Sequence, residues 1–182
     1  MAVEPPASWS RAQRRLHWVI AALVVIAAPM GVVMAALPFR QLLLKFLLYQ
    51  LHKTIGITVF LLVLAQLTLH WRRGRPDWEA GLAEWQRRAA AAAHRLLFGL
   101  LIVVPVLGYL TAATAPARIP TLYFGVIPVP HIVGAAPAWF AVLRLAHLAL
   151  AALLLLLACG HALMALHHHR QGGRTLVRMW RG

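Results

Sequence analysis

"LAHLALAALLLLLACGHALMALHHH", residues 145–169, decides the fold. It holds no lysine, arginine, aspartate or glutamate in 25 residues. A helix needs about 20 apolar residues to cross a bilayer core of ~30 Å. In lipid every backbone polar group must be satisfied internally, so a single long apolar run spans as a helix. Two imidazoles interrupt it, His147 and His161. An ionisable ring inside such a span is costly and is a functional candidate by default. The two lie 14 residues apart, about 40° short of whole turns and roughly 21 Å along the axis. They therefore share one face, one near each surface of the membrane.

Working outward, four runs are long enough to span: about Leu16–Leu37, Phe46–Trp71, His94–Ala115 and Trp139–Leu166. Hydrophobic residues make up 62% of the 182, charged residues only 12%, and the mean hydropathy is +0.73. Soluble domains are roughly half apolar. The expectation is an all-α integral membrane four-helix bundle, residues 1–182 forming a single transmembrane domain. The first run is too long for a secretory signal core of about 7–15 residues and is read as a span. Pro29 and Pro105 fall inside spans, where they kink rather than end a helix. Residues 72–88, "RRGRPDWEAGLAEWQRR", read as a polar loop. Residues 115–137, "APARIPTLYFGVIPVPHIVGAAP", read as an irregular or re-entrant connection over the bundle.

The formal net charge of +14 could indicate nucleic acid, but the apolar runs make membrane topology the better account and nucleic acid is not an expected partner. Thirteen of the 18 basic residues flank the first span's start, the second connection and the last span's end. Arg40, Lys45, Lys53, Arg118 and Arg144 lie on the other side, with no acid among them. The positive-inside rule then puts both termini in the cytoplasm. The lone Cys159 excludes an intrachain disulfide, and there is no C-x-x-C-H for covalent haem attachment.

Depth sorts the ten histidines. His17 opens the first span at the level of His161. His52 lies early in the second, at the level of His147. Two stacked pairs result. Neutral imidazole is a good iron ligand, and a bis-histidine haem takes one imidazole on each face, from facing helices. His70, five turns from His52 on the same face, is an alternative inner ligand in place of His17 or His161. His94 and His167–His169 sit at helix ends beside arginines and read as interfacial; His131 reads as a loop histidine. Lys53, next to His52, and Arg144, one turn before His147, could pair with outer-haem propionates. They would also give a positive outer field that concentrates small anions. The alternative is that they are interfacial anchors whose charges snorkel to water.

Several stretches together resemble the bacterial di-haem cytochrome b561 family of superoxide oxidase type. They are "WSRAQRRLHWVI", "LHKTIGI", "HRLLFGLLIVVPVLGY", "YFGVIPVP" and the opening stretch followed by "TLVRMW". The resemblance covers about residues 8–180. It implies two haem b groups, the inner one ligated by His17 and His161 and the outer by His52 and His147. It implies a multi-pass protein of the bacterial inner membrane that oxidises superoxide and passes electrons to ubiquinone. Gln66 and His70 stand where relatives carry arginines, and Leu148 where a glutamate often follows the ligand. Two other functions fit the residues. One is a cytochrome b anchor subunit passing electrons between quinone and a partner redox enzyme. The other is a haem-free transition-metal transporter or sensor.

Overall fold

The computed structural model describes residues 8–79 and 81–181. Four long helices run as α1 (Arg11–Ala36), α2 (Leu42–Arg73), α3 (Glu84–Thr114) and α4 (Pro137–Arg170), and a short α5 (Thr175–Trp180) follows. All four long helices are apolar enough to cross a membrane. Their boundaries have local causes. Ser10 caps α1 in a reciprocal capping box: its Oγ accepts from the Gln13 amide while Gln13 Oε1 accepts from the Ser10 amide at 3.0 Å. Gly74, at φ 69°, ends α2. Pro137 opens α4 at its first turn. Helix α3 starts ten residues before the apolar run that marked it, because the alanines at 89–93 extend the helix with strong intrinsic propensity. Helices α1 and α3 continue through Pro29 and Pro105.

The closest packing joins α3 with α4, α1 with α2, and α2 with α3. Helices α1 and α4 are not among these pairs. The apolar core is two small clusters, one around Ile20, Ile55, Val59 and Val63, the other around Leu100, Val104 and Leu154. Most other large apolar side chains face outward, as a lipid-embedded bundle requires.

The start of α1, helix α5 and the α2–α3 connection meet at one end of the bundle, here the terminal end. Gln13 Nε2 donates to Gly74 O at 3.3 Å, and Arg14 Nη1 to Trp180 O at 3.1 Å. Trp18 Nε1 donates to Met179 O at 3.0 Å, and Arg178 Nη1 to Asp77 O at 3.0 Å.

The opposite end adds a small element to the all-α bundle where irregular chain was expected. The α3–α4 connection contains an antiparallel hairpin, β1 (Thr121–Tyr123) and β2 (Ile127–Val129), with Thr121 opposite Val129. Phe124, Gly125 and Val126 connect the strands, with Phe124 and Gly125 at φ 52° and 76° and Val126 N donating to Tyr123 O at 3.3 Å. Positive φ at two successive positions, with Gly125 N also donating to Leu122 O at 3.1 Å, reverses the chain within this short connection. The prolines at 128 and 130 suggested irregular chain, but an edge strand tolerates proline where no ladder donor is needed.

Candidate functional site

Four histidines form two pairs inside the bundle, one near each end. His17 of α1 and His161 of α4 have ring centres 6.3 Å apart, interplanar angle 64°. His52 of α2 and His147 of α4 have ring centres 6.3 Å apart, interplanar angle 84°. Two imidazoles that each reach one shared metal ion at about 2.0–2.1 Å would have ring centres no more than about 6.3 Å apart. Both pairs have that separation.

The hairpin-end pair is held by backbone. His147 Nδ1 lies 2.9 Å from Val104 O on α3, and His52 Nδ1 lies 3.2 Å from Ala27 O on α1. An Nδ1–H donated to a carbonyl fixes the tautomer and leaves Nε2 as the free ligand atom. Each ring also rests on a glycine one turn beyond its carbonyl. A Cβ at Gly108 would stand 3.0 Å from His147 Cε1, and one at Gly31 would stand 3.2 Å from His52 Cε1.

The terminal-end pair is built differently. His94 of α3 comes in against His161, ring centres 5.1 Å apart, interplanar angle 73°. The Trp18 indole meets His17 edge-on at 5.2 Å. Buried polar atoms without a hydrogen-bond partner also gather toward this end: Arg14 Nε, Gln66 Oε1 and His70 Nδ1. Paired imidazoles, free ligand atoms, unfilled glycine seats and orphaned polar groups fit a bis-histidine haem, between α1 and α4 at the terminal end and between α2 and α4 at the hairpin end.

The family model for prokaryotic cytochrome b561 matches residues 8–182. The chain belongs to the prokaryotic cytochrome b561 family. It is therefore a membrane b-type haem protein of electron transfer. It is also 28% identical over 177 residues to cytochrome b561 homolog 1 of Escherichia coli (strain K12), covering 94% of this chain and 96% of that one. Membership favours haem over the haem-free metal-handling reading. Among the described residues, no group of three or more histidine, cysteine, aspartate or glutamate side chains could hold a metal ion.

The remaining candidates of this cytochrome b561 fall in several places. His70 lies between Trp9 (5.4 Å) and Phe98 (6.2 Å), apart from both pairs. Lys53 Nζ donates to Ile119 O at 3.3 Å and Pro120 O at 3.4 Å, so its charge caps the segment entering the hairpin. Arg144 and Leu148 are exposed on α4. His131 Nε2 lies 3.3 Å from Thr121 Oγ1. Burial first, then the charges of Lys53 and Arg118, push the His131 pKa below its ordinary value. Arg118, Pro120, Val129 and His131 line an open cleft of about 330 Å³. His167–His169 close α4; His169 Nδ1 is 3.4 Å from Gly173 O.

The residues that sequence reasoning passed over are His94, Gly31, Gly108 and a polar stripe on α2. Gln50 Nε2 donates to Pro120 O at 2.8 Å, and Gln50 Oε1 accepts from Leu122 N at 3.1 Å. Thr54 Oγ1 accepts from Phe124 N at 3.3 Å, and Thr58 Oγ1 lies 3.2 Å from Tyr123 OH. The available signals were the i, i+4, i+8 spacing of three polar residues in an apolar helix, and mid-helix glycines that cost about 1 kcal/mol against alanine.

Proposed function

We propose that this cytochrome carries electrons through two b haems, one held by His17 and His161 and the other by His52 and His147. The matched 6.3 Å separation of the two pairs is the observation that carries the reading. When bound, the haems supply the one-electron chemistry. The chain's own part is to ligate, orient and set the local field. Val104 O and Ala27 O direct the Nδ1 protons of His147 and His52 away from the ligand position. Lys53 and Arg144 offer positive charge to propionates at the hairpin end.

Both termini face the cytoplasm of a bacterial inner membrane in this reading, because the terminal end carries the excess of arginine. Superoxide is the donor at the hairpin end and ubiquinone the acceptor, making the protein a superoxide:ubiquinone oxidoreductase. The hairpin end supports this with Lys53, Arg118 and Arg144 and no acid, a field that raises the arrival rate of a small anion. A second reading, an anchor subunit passing electrons between quinone and a partner enzyme, is favoured by the arginines of the terminal end, which could dock an acidic partner.

A dithionite-reduced minus oxidised spectrum with haem counted per chain tests the core of this proposal. Two low-spin b haems per chain are expected; none would sink it. Superoxide-driven ubiquinone reduction by the purified chain in liposomes then separates the readings. Turnover by the chain alone favours the oxidase, and turnover only with a partner favours the anchor.

A further inference from the structure

The hairpin does not sit on top of the bundle; it descends along α2. Pro120 meets Gln50 and Lys53, Phe124 meets Thr54, and the Tyr123 hydroxyl reaches Thr58. From Gln50 to Thr58 is eight residues, about 12 Å of helix. Counting about 20 residues back from Trp71, beyond which Arg72 and Arg73 take over, puts the hydrocarbon edge near Leu51. Thr54 and Thr58 then lie roughly 5 and 10 Å inside it, and the tip of the hairpin lies beside them.

We infer that the tip of this hairpin, Phe124 to Ile127, is inserted among lipid acyl chains of the hairpin-side leaflet. Three observations support acyl chains as the occupant of this apolar surface. The tip is exposed and apolar: Phe124 is 66% exposed, Val126 75% and Ile127 54%, and no charged residue lies between Arg118 and His131. Farther along α2 beyond Thr58, Leu61 and Leu64 are exposed apolar side chains of the same membrane-length helix. Its backbone is prepared for a medium without water. Leu122 N donates to Gln50 Oε1, Phe124 N to Thr54 Oγ1, Gly125 N to Leu122 O and Val126 N to Tyr123 O, while Pro128 and Pro130 have no donor to lose. Non-helical backbone enters a membrane only with such partners.

The turn itself points the same way. A left-handed position in an exposed turn usually carries glycine, asparagine or aspartate. Here a phenylalanine occupies left-handed φ, where a bulky residue is an outlier. A ring worth more in lipid than in water explains why this position is not asparagine. The inference is independent of which histidines hold haem.

The test is photolabelling of the intact haem-loaded protein in liposomes, using a phosphatidylcholine with a diazirine in mid-acyl chain. Adducts are mapped by mass spectrometry. Leu61 and Leu64 report that labelling worked. Adducts on Phe124, Val126 or Ile127 at a yield within about threefold of Leu61 are expected. Absence of tip adducts while Leu61 is labelled overturns the inference. So does labelling of the tip only by a head-group diazirine, which places it in the interface. A tip linked to the tip of a second copy, with no lipid adduct, overturns it in favour of self-association.

Discussion

His147 rests against Gly108: a Cβ on that glycine would stand 3.0 Å from the imidazole Cε1 and 3.3 Å from Nδ1. The ring is held there by its 2.9 Å contact with Val104 O. Gly108→Ala should displace the ring by a few tenths of an ångström and weaken haem retention at the hairpin end. Altered metal-site orientation typically costs about 10–100-fold in affinity. Gly31→Ala, with a 3.2 Å approach to His52, should do the same more mildly. Haem loss to apomyoglobin, followed at each haem's α-band, measures both; equal retention in the variants and the parent refutes the seat.

The two pairs should be separable. With the proposed ligation, His17→Ala is expected to leave roughly one haem per chain with the hairpin-end signature, and His52→Ala roughly one with the terminal-end signature. Pyridine haemochrome counting and low-temperature spectra check this. Two full haems in both variants would mean that the pairing is wrong.

His94 gives the terminal-end pair an asymmetry. Its ring contacts His161 at 5.1 Å, on the side where α3 instead offers His147 a carbonyl. His94→Leu should shift the electron paramagnetic resonance g-values of one haem and leave the other unchanged, with His94→Gln closer to the parent. A change in the hairpin-end signal, or none in either, refutes a positioning role for His94.

The clamp on the hairpin rests on Gln50, whose carboxamide holds both Pro120 O and Leu122 N. Gln50→Leu leaves the half-buried Leu122 N without its partner and Pro120 O with Lys53 alone, at about 1–3 kcal/mol. Thr54→Val should cost about 1 kcal/mol by freeing Phe124 N. Thermal melts in detergent should rank parent above Thr54→Val above Gln50→Leu; the reverse order would show that the hairpin is held elsewhere.

Helix α5 should dock in a pH-dependent way. Glu79 Oε1 accepts from Arg174 N at 2.6 Å and Oε2 from Thr175 Oγ1 at 2.7 Å. Burial alone would raise its pKa, but those hydrogen bonds and the charge of Arg178 outweigh it and hold the pKa below the ordinary 4.5. A carboxyl whose folded pKa is depressed stabilises above its unfolded pKa and loses that contribution as pH falls through the folded value. Protease cleavage near α5 should therefore rise below pH 4.5 in the parent. Glu79→Gln should be cleaved readily at pH 7 and show little further change; an unchanged parent at pH 4 would argue against the contact.

Much of the site was legible in one dimension. The opening stretch carried span length and the 14-residue interval between His147 and His161, and the alternation of helix direction assigned His17 and His52 to matching depths. His94 was passed over because an imidazole beside Arg95 at a helix end reads as interfacial; only the rotation of α3 turns it toward His161. The hairpin was passed over because its prolines masked the alternation of Thr121, Tyr123, Ile127 and Val129.

By itself the sequence determined four apolar spans, which end carries the arginines and which histidines share a level, because span length, charge and helical rise are all properties counted along the chain. The tertiary structure alone decided that Val104 and Ala27 orient the His147 and His52 rings, that Gly108 and Gly31 seat them, and that Gln50, Thr54 and Thr58 draw the hairpin down α2. Those contacts join residues 21 to 72 positions apart, and they depend on how each helix is rotated about its axis and on the path a connection takes. Neither is encoded in hydropathy or spacing; both follow from which buried polar groups find a partner when the helices pack.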